Sequence, residues 1–344
     1  MGTSPLKMDN GEYKRWKAYR IDRYITDPSQ LIVPIRNPDQ LTCSEKRALL
    51  ETINRNNFAV YQYEPEYGTR TAPMREGRSG VAPNSIASPI ASQDKRYIRI
   101  CQQLGLVHSI ANPESGPDNV TLIQDMNQSE NGLPIENSSS NNTTPKRYIP
   151  YTNKPLGWHT DGYYNPTIQI VRSFILHCDQ AASAGGDNEL VDPEMIYLQL
   201  RNANPQWAEA LTHPDVMTIP SNVVDNQILR KEFQGPVFVT DKDTGYFYTR
   251  YTERKRHIQW KQDLVTTKAL EAMRQLLEDE SRFKIKIRLK PGQGLICNNV
   301  IHRRTSFSDM PSDLNAHHYS TLKRCLHRIR FTDRLSTDPM NPII

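Results

Sequence analysis

The sequence lacks the paired cysteines that a disulfide framework or a Cys-x-x-Cys metal site requires. Its five cysteines are scattered, with no two of them in a Cys-x-x-Cys pair: they stand at positions 43, 101, 178, 297 and 325. An odd number of isolated cysteines in a chain of 344 residues is typical of reduced thiols. We therefore expect a reducing, cytoplasmic location.

Long apolar runs and a strong charge of either sign are also missing. No stretch of about 18 apolar residues is present, so we expect no segment that crosses a membrane. Residues 1–8 contain no apolar segment of the kind found in secretory signals. The formal net charge is only +5, and dense basic clusters are confined to residues 250–256 and 323–330. We therefore predict neither a nucleic-acid partner nor a membrane partner.

The chain shows no internal repeat, and we predict a single domain over residues 1–344 with three parts. Residues 1–110 have a mixed helical and strand character. Residues 125–148 contain a tract rich in Ser, Asn and Thr, which indicates either a flexible lid or a disordered insertion. Residues 150–331 are rich in strand patterns and are predicted to form the core.

The local patterns indicate many short strands with helices outside them. Strict alternation of apolar and charged residues predicts a half-buried strand over residues 283–289, and apolar or β-branched runs predict further strands over 168–178, 295–302 and 321–331. Helical spacing or helix-start signals appear in five segments: 43–54, 94–104, 193–203, 205–212 and 262–280. This order is typical of a mixed α and β fold. Its core is predicted to be a double-stranded β-helix, a cupin-like jelly roll, flanked by helices.

The segment Gly157–Gly162 (GWHTDG) holds a His-x-Asp pair, His159 and Asp161. Residues i and i+2 of a strand lie on the same side, so an imidazole and a carboxylate can reach one point. This spacing alone is a weak signal, since His213 and Asp215 share it. That second pair has Pro214 between its members and no strand context, so we do not assign it a metal.

Two further features stand downstream at the end of strand patterns. His302 follows an apolar strand, and Arg324 and Arg328 stand four residues apart on the final predicted strand, hence on one face. Two histidines and one carboxylate on one side of an ion leave three coordination positions free, which is the arrangement of iron(II) oxygenases. An arginine fork suits the remote carboxylate of a dicarboxylate ligand.

Taken in order, these motifs resemble the taurine dioxygenase/clavaminate synthase-like family of 2-oxoglutarate-dependent oxygenases. The resemblance covers about residues 150 to 331 and rests on four motifs: WHTD from 158, GGD from 185, NNVIH from 298, and Arg324-x-x-x-Arg328. It implies that the catalytic metal ligands are His159, Asp161 and His302, and that the cofactors are Fe(II), 2-oxoglutarate as co-substrate, and O2. It also implies oxidation of a small-molecule substrate, most simply by hydroxylation, with release of succinate and CO2.

The same resemblance assigns roles to the polar residues around the metal. Arg324 would hold the distal carboxylate of 2-oxoglutarate, and Arg328 would face the active site and contact the co-substrate or the substrate. Asn188 stands where the family often has a threonine that binds the oxo-acid, and its amide can still donate a hydrogen bond.

Three aromatic residues flank the metal motif, and two interpretations of them remain open. Trp158, Tyr163 and Tyr164 either line the substrate pocket, together with Arg328, or pack within the jelly roll beside it. The sequence does not identify the substrate, and it leaves the oligomeric state open, a homo-oligomer included.

Two alternative functions remain. One is a cupin-like hydrolase or isomerase that depends on zinc or manganese, and the other is a sensor that binds 2-oxoglutarate without turnover. The rival histidines for the third ligand position are His317, His318 and His327. We expect His327 to face away from Arg324 and Arg328 on an alternating strand.

Overall fold

The computed structural model describes residues 4–64, 95–112, 114–126, 149–224, 227–254, 258–309 and 323–336. Within these ranges the chain forms six α-helices, named in chain order: α1 (Asn10–Arg23), α2 (Cys43–Asn56), α3 (Arg96–Gln103), α4 (Pro193–Ala203), α5 (Pro205–Ala210) and α6 (Leu264–Glu278). The same ranges contain twenty short strands, named in chain order: β1 (Ile32–Pro34), β2 (Phe58–Gln62), β3 (Ser109–Ile110), β4 (Thr121–Ile123), β5 (Leu156–His159), β6 (Ser173–Gln180), β7 (Ala184–Gly185), β8 (Asn188–Val191), β9 (Met217–Ile219), β10 (Asn222–Val224), β11 (Gln227–Arg230), β12 (Phe233–Gly235), β13 (Phe238–Thr240), β14 (Phe247–Thr249), β15 (Gln259–Trp260), β16 (Lys284–Ile287), β17 (Gln293–Cys297), β18 (Ile301–Arg304), β19 (Phe307–Ser308) and β20 (Cys325–Phe331). The coarse prediction of a mixed α and β fold is confirmed.

Two sheets position the candidate site. The larger sheet has seven strands in the order β1-β2-β17-β6-β20-β3, with β4 also paired to β20. The smaller sheet has four antiparallel strands in the order β16-β8-β18-β5. One hydrophobic cluster takes Phe174, Leu295 and Leu326 from the larger sheet and Leu190 and Ile285 from the smaller one. A shared core therefore lies between the two sheets.

The predicted helices form, with ends that differ by a few residues from those expected. Helix α2 begins after Thr42. The Thr42 hydroxyl accepts the Glu45 N–H at 3.2 Å, and the Glu45 carboxylate accepts the Thr42 N–H at 2.7 Å. This reciprocal pair is a capping box, which satisfies two backbone donors that the first turn of a helix leaves unpaired.

The strand predicted over residues 168–178 begins later than expected. Ile168 lies in a short 3-10 turn and is 85% exposed, and β6 starts only at Ser173. The Asn165 side-chain amide donates to the Gln169 carbonyl at 2.9 Å and closes this turn. A local side-chain hydrogen bond thus outweighs the β-branched composition of the segment.

The prediction of a single strand over residues 295–302 is wrong, because this segment contributes to two strands that lie in different sheets. β17 pairs with β2 and β6 in the larger sheet, whereas β18 pairs with β5 and β8 in the smaller one. Between them Asn299 adopts a left-handed backbone with φ of 50°. Asn tolerates this conformation better than most residues. The turn carries His302 across to the smaller sheet.

A buried ion network attaches the N-terminal helix to the core. Arg20 of α1 contacts the carboxylates of Asp192 and Glu194, each at 2.6 Å, and donates to the Asn54 and Arg55 carbonyls. Its side chain is 6% exposed, and that of Asp192 is fully buried. Burial raises the pKa of Asp192, while Arg20 acts to lower it. The guanidinium therefore compensates charge that the interior would otherwise leave unpaired.

We expect Arg20→Met to lower the free energy of unfolding by about 3 to 5 kcal/mol, because it leaves a buried carboxylate without its partner. Urea unfolding monitored by circular dichroism measures the change. The matched control is Arg15→Met, an exposed position on the same helix. Equal stability of the two variants would contradict the assignment.

Two groups of predictions concern residues that the structure does not describe, and a further one concerns segments that cross a membrane. Most of the predicted lid, residues 127–148, is among the residues not described, as are His317 and His318. None of the helices in the described ranges has the length and apolar run that a bilayer crossing requires.

Candidate functional site

The two predicted histidine ligands face each other on adjacent strands. His159 of β5 and His302 of β18 are register partners, and their ring centroids lie 4.3 Å apart. The His159 Nδ1–H donates to the Gly157 carbonyl at 2.9 Å, and the His302 Nδ1–H donates to the Val300 carbonyl at 2.8 Å. A carbonyl can only accept, so each Nδ1 carries the proton and each Nε2 keeps its lone pair for a metal.

Burial also keeps one of these rings neutral. It lowers the pKa of His302 to about 3, with a further contribution from the neighbouring His159. A neutral imidazole is the form that binds metals.

Asp161 follows β5 and turns its carboxylate toward the same point. Its Oδ1 lies 3.7 Å from His159 Nε2, and one donor atom from each of His159, Asp161 and His302 lies within 4.8 Å of the other two. Burial alone would raise the pKa of Asp161, but Arg328 and Arg330 hold it well below its usual value. The carboxylate is therefore ionised and able to act as a ligand.

Three residues hold Asp161 in place, two arginines and one asparagine, and sequence analysis missed the stronger of the two arginines. Arg330 donates to both carboxylate oxygens, from Nε at 2.9 Å and from Nη2 at 3.1 Å, whereas Arg328 Nη1 lies 3.4 Å from Oδ1. Asn299 accepts the Asp161 N–H and donates to the Asp161 carbonyl. The signal for Arg330 was present, because it stands two residues after Arg328 on an alternating strand.

Both histidines open into a cavity between the two sheets. Seven of its thirteen lining residues are apolar, and the other six are polar or charged. The lining residues are Ile123, Pro150, Leu156, His159, Phe174, Leu176, Asn188, Leu190, Leu295, His302, Arg304, Arg324 and Arg328.

Arg324 lies in this wall as a buried cation whose charge is incompletely compensated. It is 3% exposed, its guanidinium stacks over Phe307, and its Nη1 has no hydrogen-bond partner among the described residues. Burial lowers the pKa of Arg324 to about 10, although Asp309 acts in the opposite direction. Gly186, with φ of 76°, leaves room for this side chain, because a Cβ there would lie 3.1 Å from Arg324 Nε.

A second buried arginine, which the sequence analysis did not single out, adds to the positive charge. Arg304 donates to the carbonyls of Pro150, Thr152 and Lys154, and no carboxylate in the described ranges forms a salt bridge with it. Burial, followed by repulsion from Arg324, lowers the pKa of Arg304 to about 9. This end of the cavity is therefore suited to an anion.

The structure brings the remaining predicted polar residues to the same wall. Asn188 lies on β8, buried, and its side-chain amide donates to the Ile287 carbonyl at a long 3.4 Å. Arg328 lines the cavity, but its closest anionic partner is Asp161.

The three predicted aromatic residues are not among the residues that line this cavity. Trp158 points to the other face of β5, where its indole N–H donates to Glu278 at 2.9 Å and Arg303 lies 4.6 Å from its ring centroid. Tyr163 is buried in the core and meets Tyr164 edge to face at 5.0 Å. The geometry thus agrees with packing beside the site for Trp158 and Tyr163.

The donor set is that of an open metal site. Two imidazole nitrogens and one carboxylate suit iron(II), which keeps further positions for other ligands. Structural zinc sites commonly include thiolates, and this triad has none. The arrangement fits iron, and the orphaned Arg324 Nη1 fits the remote carboxylate of an iron-bound oxo-acid.

Comparison with characterised proteins agrees with this geometry. Two curated relatives are uridine-5'-phosphate dioxygenases. The one from Amycolatopsis sp is 31% identical over 159 residues, covering 45% of this chain and 56% of its own. The one from Streptomyces sp is 31% identical over 170 residues, covering 47% and 59%. The chain thus spans little more than half the length of these relatives.

A solved structure supports the fold. The non-heme iron oxygenase OrfP, in a complex that contains iron and succinate, superimposes with a TM-score of 0.54 at 13% identity, covering 94% of this chain and 93% of its own. At this identity the likeness concerns the fold alone.

The family profile described as "Taurine catabolism dioxygenase TauD, TfdA family" matches residues 97–326. The match begins well before residue 150, where the motifs start, so it includes α3 and strands β3 and β4. The family resemblance found in the sequence is confirmed, and the chain belongs to the TauD, TfdA family of dioxygenases.

Proposed function

We propose that this protein is an Fe(II)- and 2-oxoglutarate-dependent dioxygenase that oxidises a small molecule with release of succinate and CO2. One observation carries the proposal. A triad of two imidazoles and a carboxylate shares a cavity wall with a buried arginine, Arg324, one of whose guanidinium nitrogens has no hydrogen-bond partner among the described residues. A hydrolase or isomerase would need the triad but would have no use for this buried cationic donor.

In this proposal the chain's residues bind and orient, and the bound iron and 2-oxoglutarate supply the oxidative chemistry with O2. His159, Asp161 and His302 hold the metal on one side. Arg324 anchors the distal carboxylate of 2-oxoglutarate, and Asn188 contributes an amide beside it. The surrounding side chains of Phe174, Leu176, Leu190 and Leu295 exclude water from the space between.

Arg328 and Arg330 have a positioning role in this proposal. Each donates to Asp161, so the carboxylate keeps its charge and its direction before a metal binds. This differs from direct contact between Arg328 and the substrate. Burial alone would lower the pKa of Arg330, but Asp161 and Tyr164 raise it, so its charge is permanent.

We infer further that the two facing sheets form a double-stranded β-helix and that the N-terminal part folds with it as one domain. The antiparallel sheets, the shared core between them and the Arg20 network support this. A single urea transition, which includes loss of α1, is the expected behaviour.

The substrate is proposed only as a small molecule. The names of the curated relatives suggest which candidate substrates should be assayed first. Uridine 5'-phosphate comes first, followed by other nucleoside monophosphates and amino acids. The assay measures succinate with Fe(II), 2-oxoglutarate and O2, and omits each in turn. Turnover that does not change when 2-oxoglutarate or O2 is omitted would support a hydrolase or isomerase. Binding of 2-oxoglutarate with no succinate formed would support a sensor.

Asn299 is expected to position Asp161, and Asn299→Gly tests this. Glycine tolerates the left-handed backbone, so the change removes only the amide contacts. We expect iron affinity to fall about 10- to 100-fold, as for other residues that support metal ligands. The control is Asn119→Gly, which has the same backbone conformation, with φ of 58°, away from the metal ligands. Unchanged iron affinity in a chelator-competition titration of Asn299→Gly would rule out this role.

A further inference from the structure

A second cluster of metal-binding side chains lies on the opposite face of the sheet that carries Arg324. β6 and β20 are neighbours, and His177 is the register partner of His327. Arg328 of β20 and Arg324, which directly precedes this strand, face the cavity, while Cys325 and His327 of β20 face the other way. The outward direction predicted for His327 is therefore observed, and this cluster is separate from the candidate iron ligands.

Three different donor types converge at this place. His327 Nε2 lies 2.6 Å from Asp179 Oδ2 and 3.9 Å from Cys325 Sγ. One donor atom of each of these three residues lies within 4.8 Å of the other two. Within the described residues, this group and the candidate iron triad are the clusters with such geometry.

The surroundings hold these donors in place. His177 Nε2 lies 3.4 Å from the other carboxylate oxygen of Asp179, and the Tyr61 hydroxyl contacts His177 Nδ1 at 2.9 Å. The Tyr97 ring stacks on His177 and contacts the His327 ring, with centroids 4.9 and 5.3 Å away. An aromatic wall and a second histidine thus orient the carboxylate and the imidazole, as partners around metal ligands do.

The donor set selects the ion. A thiolate, an imidazole and a carboxylate suit zinc, whose bonds are about 2.3 Å to sulfur and about 2.0 Å to nitrogen or oxygen. Tetrahedral ligands at these lengths lie about 3.2 to 3.6 Å apart, so the observed donors must shift by less than about 1 Å. The softer thiolate distinguishes this cluster from the iron triad.

We propose that Asp179, Cys325 and His327 form a second metal site, which binds zinc with a water molecule in the fourth position and ties β20 to β6. On binding, the Cys325 thiol loses its proton to solvent. The proton that His327 Nε2 donates to Asp179 is exchanged through solvent to Nδ1, which frees the Nε2 lone pair. The contact between Asp179 and His327 is then replaced by two bonds to the ion. The thiolate, not the thiol, is the form of cysteine that bonds to a metal, so binding of the ion and loss of this proton occur together.

The site has a consequence for the cavity, and that consequence alone rests on the proposed function. Cys325 follows Arg324 directly, at a point where the pairing of β20 with β6 is irregular. Zinc at Cys325 fixes the start of this strand and with it the Arg324 side chain on the other face. Occupancy of the site is therefore expected to lower the KM for 2-oxoglutarate without being required for iron binding.

Cobalt(II) serves as the spectroscopic probe, with the full chain carrying His159→Ala to remove the iron triad. We expect one bound cobalt per chain and a near-ultraviolet thiolate-to-cobalt charge-transfer band. Cys325→Ser, added to that protein, should abolish the band, whereas Cys43→Ser, at an exposed thiol, should leave it unchanged. Absence of the band in the folded His159→Ala protein, or its survival in the Cys325→Ser variant, would overturn the proposal.

A measurement on the unmodified chain covers the case in which Cys325→Ser fails to fold. Alkylation followed by peptide mass spectrometry compares Cys325 with Cys43 in the same molecule, with and without zinc. We expect zinc to protect Cys325 and not Cys43, and equal labelling of Cys325 in both conditions would sink the idea. Neither result depends on succinate formation, so failure of the proposed oxygenase activity is distinguishable from failure of this site.

Discussion

His159→Ala is expected to abolish 2-oxoglutarate-dependent succinate formation and to weaken iron binding by more than about 100-fold. Loss of a supporting partner around a metal already costs about 10- to 100-fold in affinity, and loss of a ligand should exceed that. The reason lies in the geometry, since His159 is one of three side chains whose donor atoms converge at the proposed site within the described residues. Iron per chain and succinate per minute are the two quantities to measure.

The chain contains a matched control for this experiment. His213 and Asp215 have the same His-x-Asp spacing, but both are exposed, and their side chains contact each other. His213→Ala should therefore keep full iron binding and full turnover. Equal losses in the two variants would indicate damage to the fold, and retained activity in His159→Ala would eliminate the triad as the metal site.

The second large effect is expected for Arg324→Gln, which should raise the KM for 2-oxoglutarate about 100-fold with little change in iron affinity. A charge-assisted hydrogen bond in a buried site contributes about 1.5 to 3 kcal/mol, and each 1.4 kcal/mol corresponds to a factor of ten. Arg324 Nη1 has no hydrogen-bond partner among the described residues, and burial lowers the pKa of this guanidinium. Both observations indicate that Arg324 can bind an anion in the cavity.

Arg288→Gln is the control for charge in this region. Arg288 is exposed and lines a neighbouring crevice together with Arg324. The Arg288→Gln variant should have a KM for 2-oxoglutarate within about twofold of that of the unmodified protein, because surface substitutions usually have small effects. If the KM for 2-oxoglutarate is unchanged in Arg324→Gln, another residue must bind the distal carboxylate of the co-substrate, and Arg304 is the next candidate.

Two of the proposed metal ligands were predictable from a short-range rule, because alternation along a strand places His159 and Asp161 on one side. The third, His302, came from the order of the motifs along the chain. The same rule places Trp158 on the opposite face of β5 from His159, so its position away from the cavity was within reach of the sequence. Residues 157–162 alone carry enough local information for both conclusions.

Other features depend on contacts between distant segments, and the sequence pattern does not contain them. The division of residues 295–302 between two sheets depends on Asn299, whose amide bonds to Asp161 and to Val171 across more than a hundred residues. The bidentate contact of Arg330 with Asp161 arises only when β20 and the turn after β5 come together. Arg304 likewise adds positive charge to the cavity only because the fold buries it near Arg324.

The most direct test of the central claim is a crystal structure of the iron-loaded protein with anomalous data collected at the iron absorption edge. We expect one strong peak bonded to His159 Nε2, to an Asp161 oxygen and to His302 Nε2, with the other coordination positions taken by water or by added 2-oxoglutarate. A peak at another place, or an iron ion whose coordination is completed by protein side chains, would contradict the account.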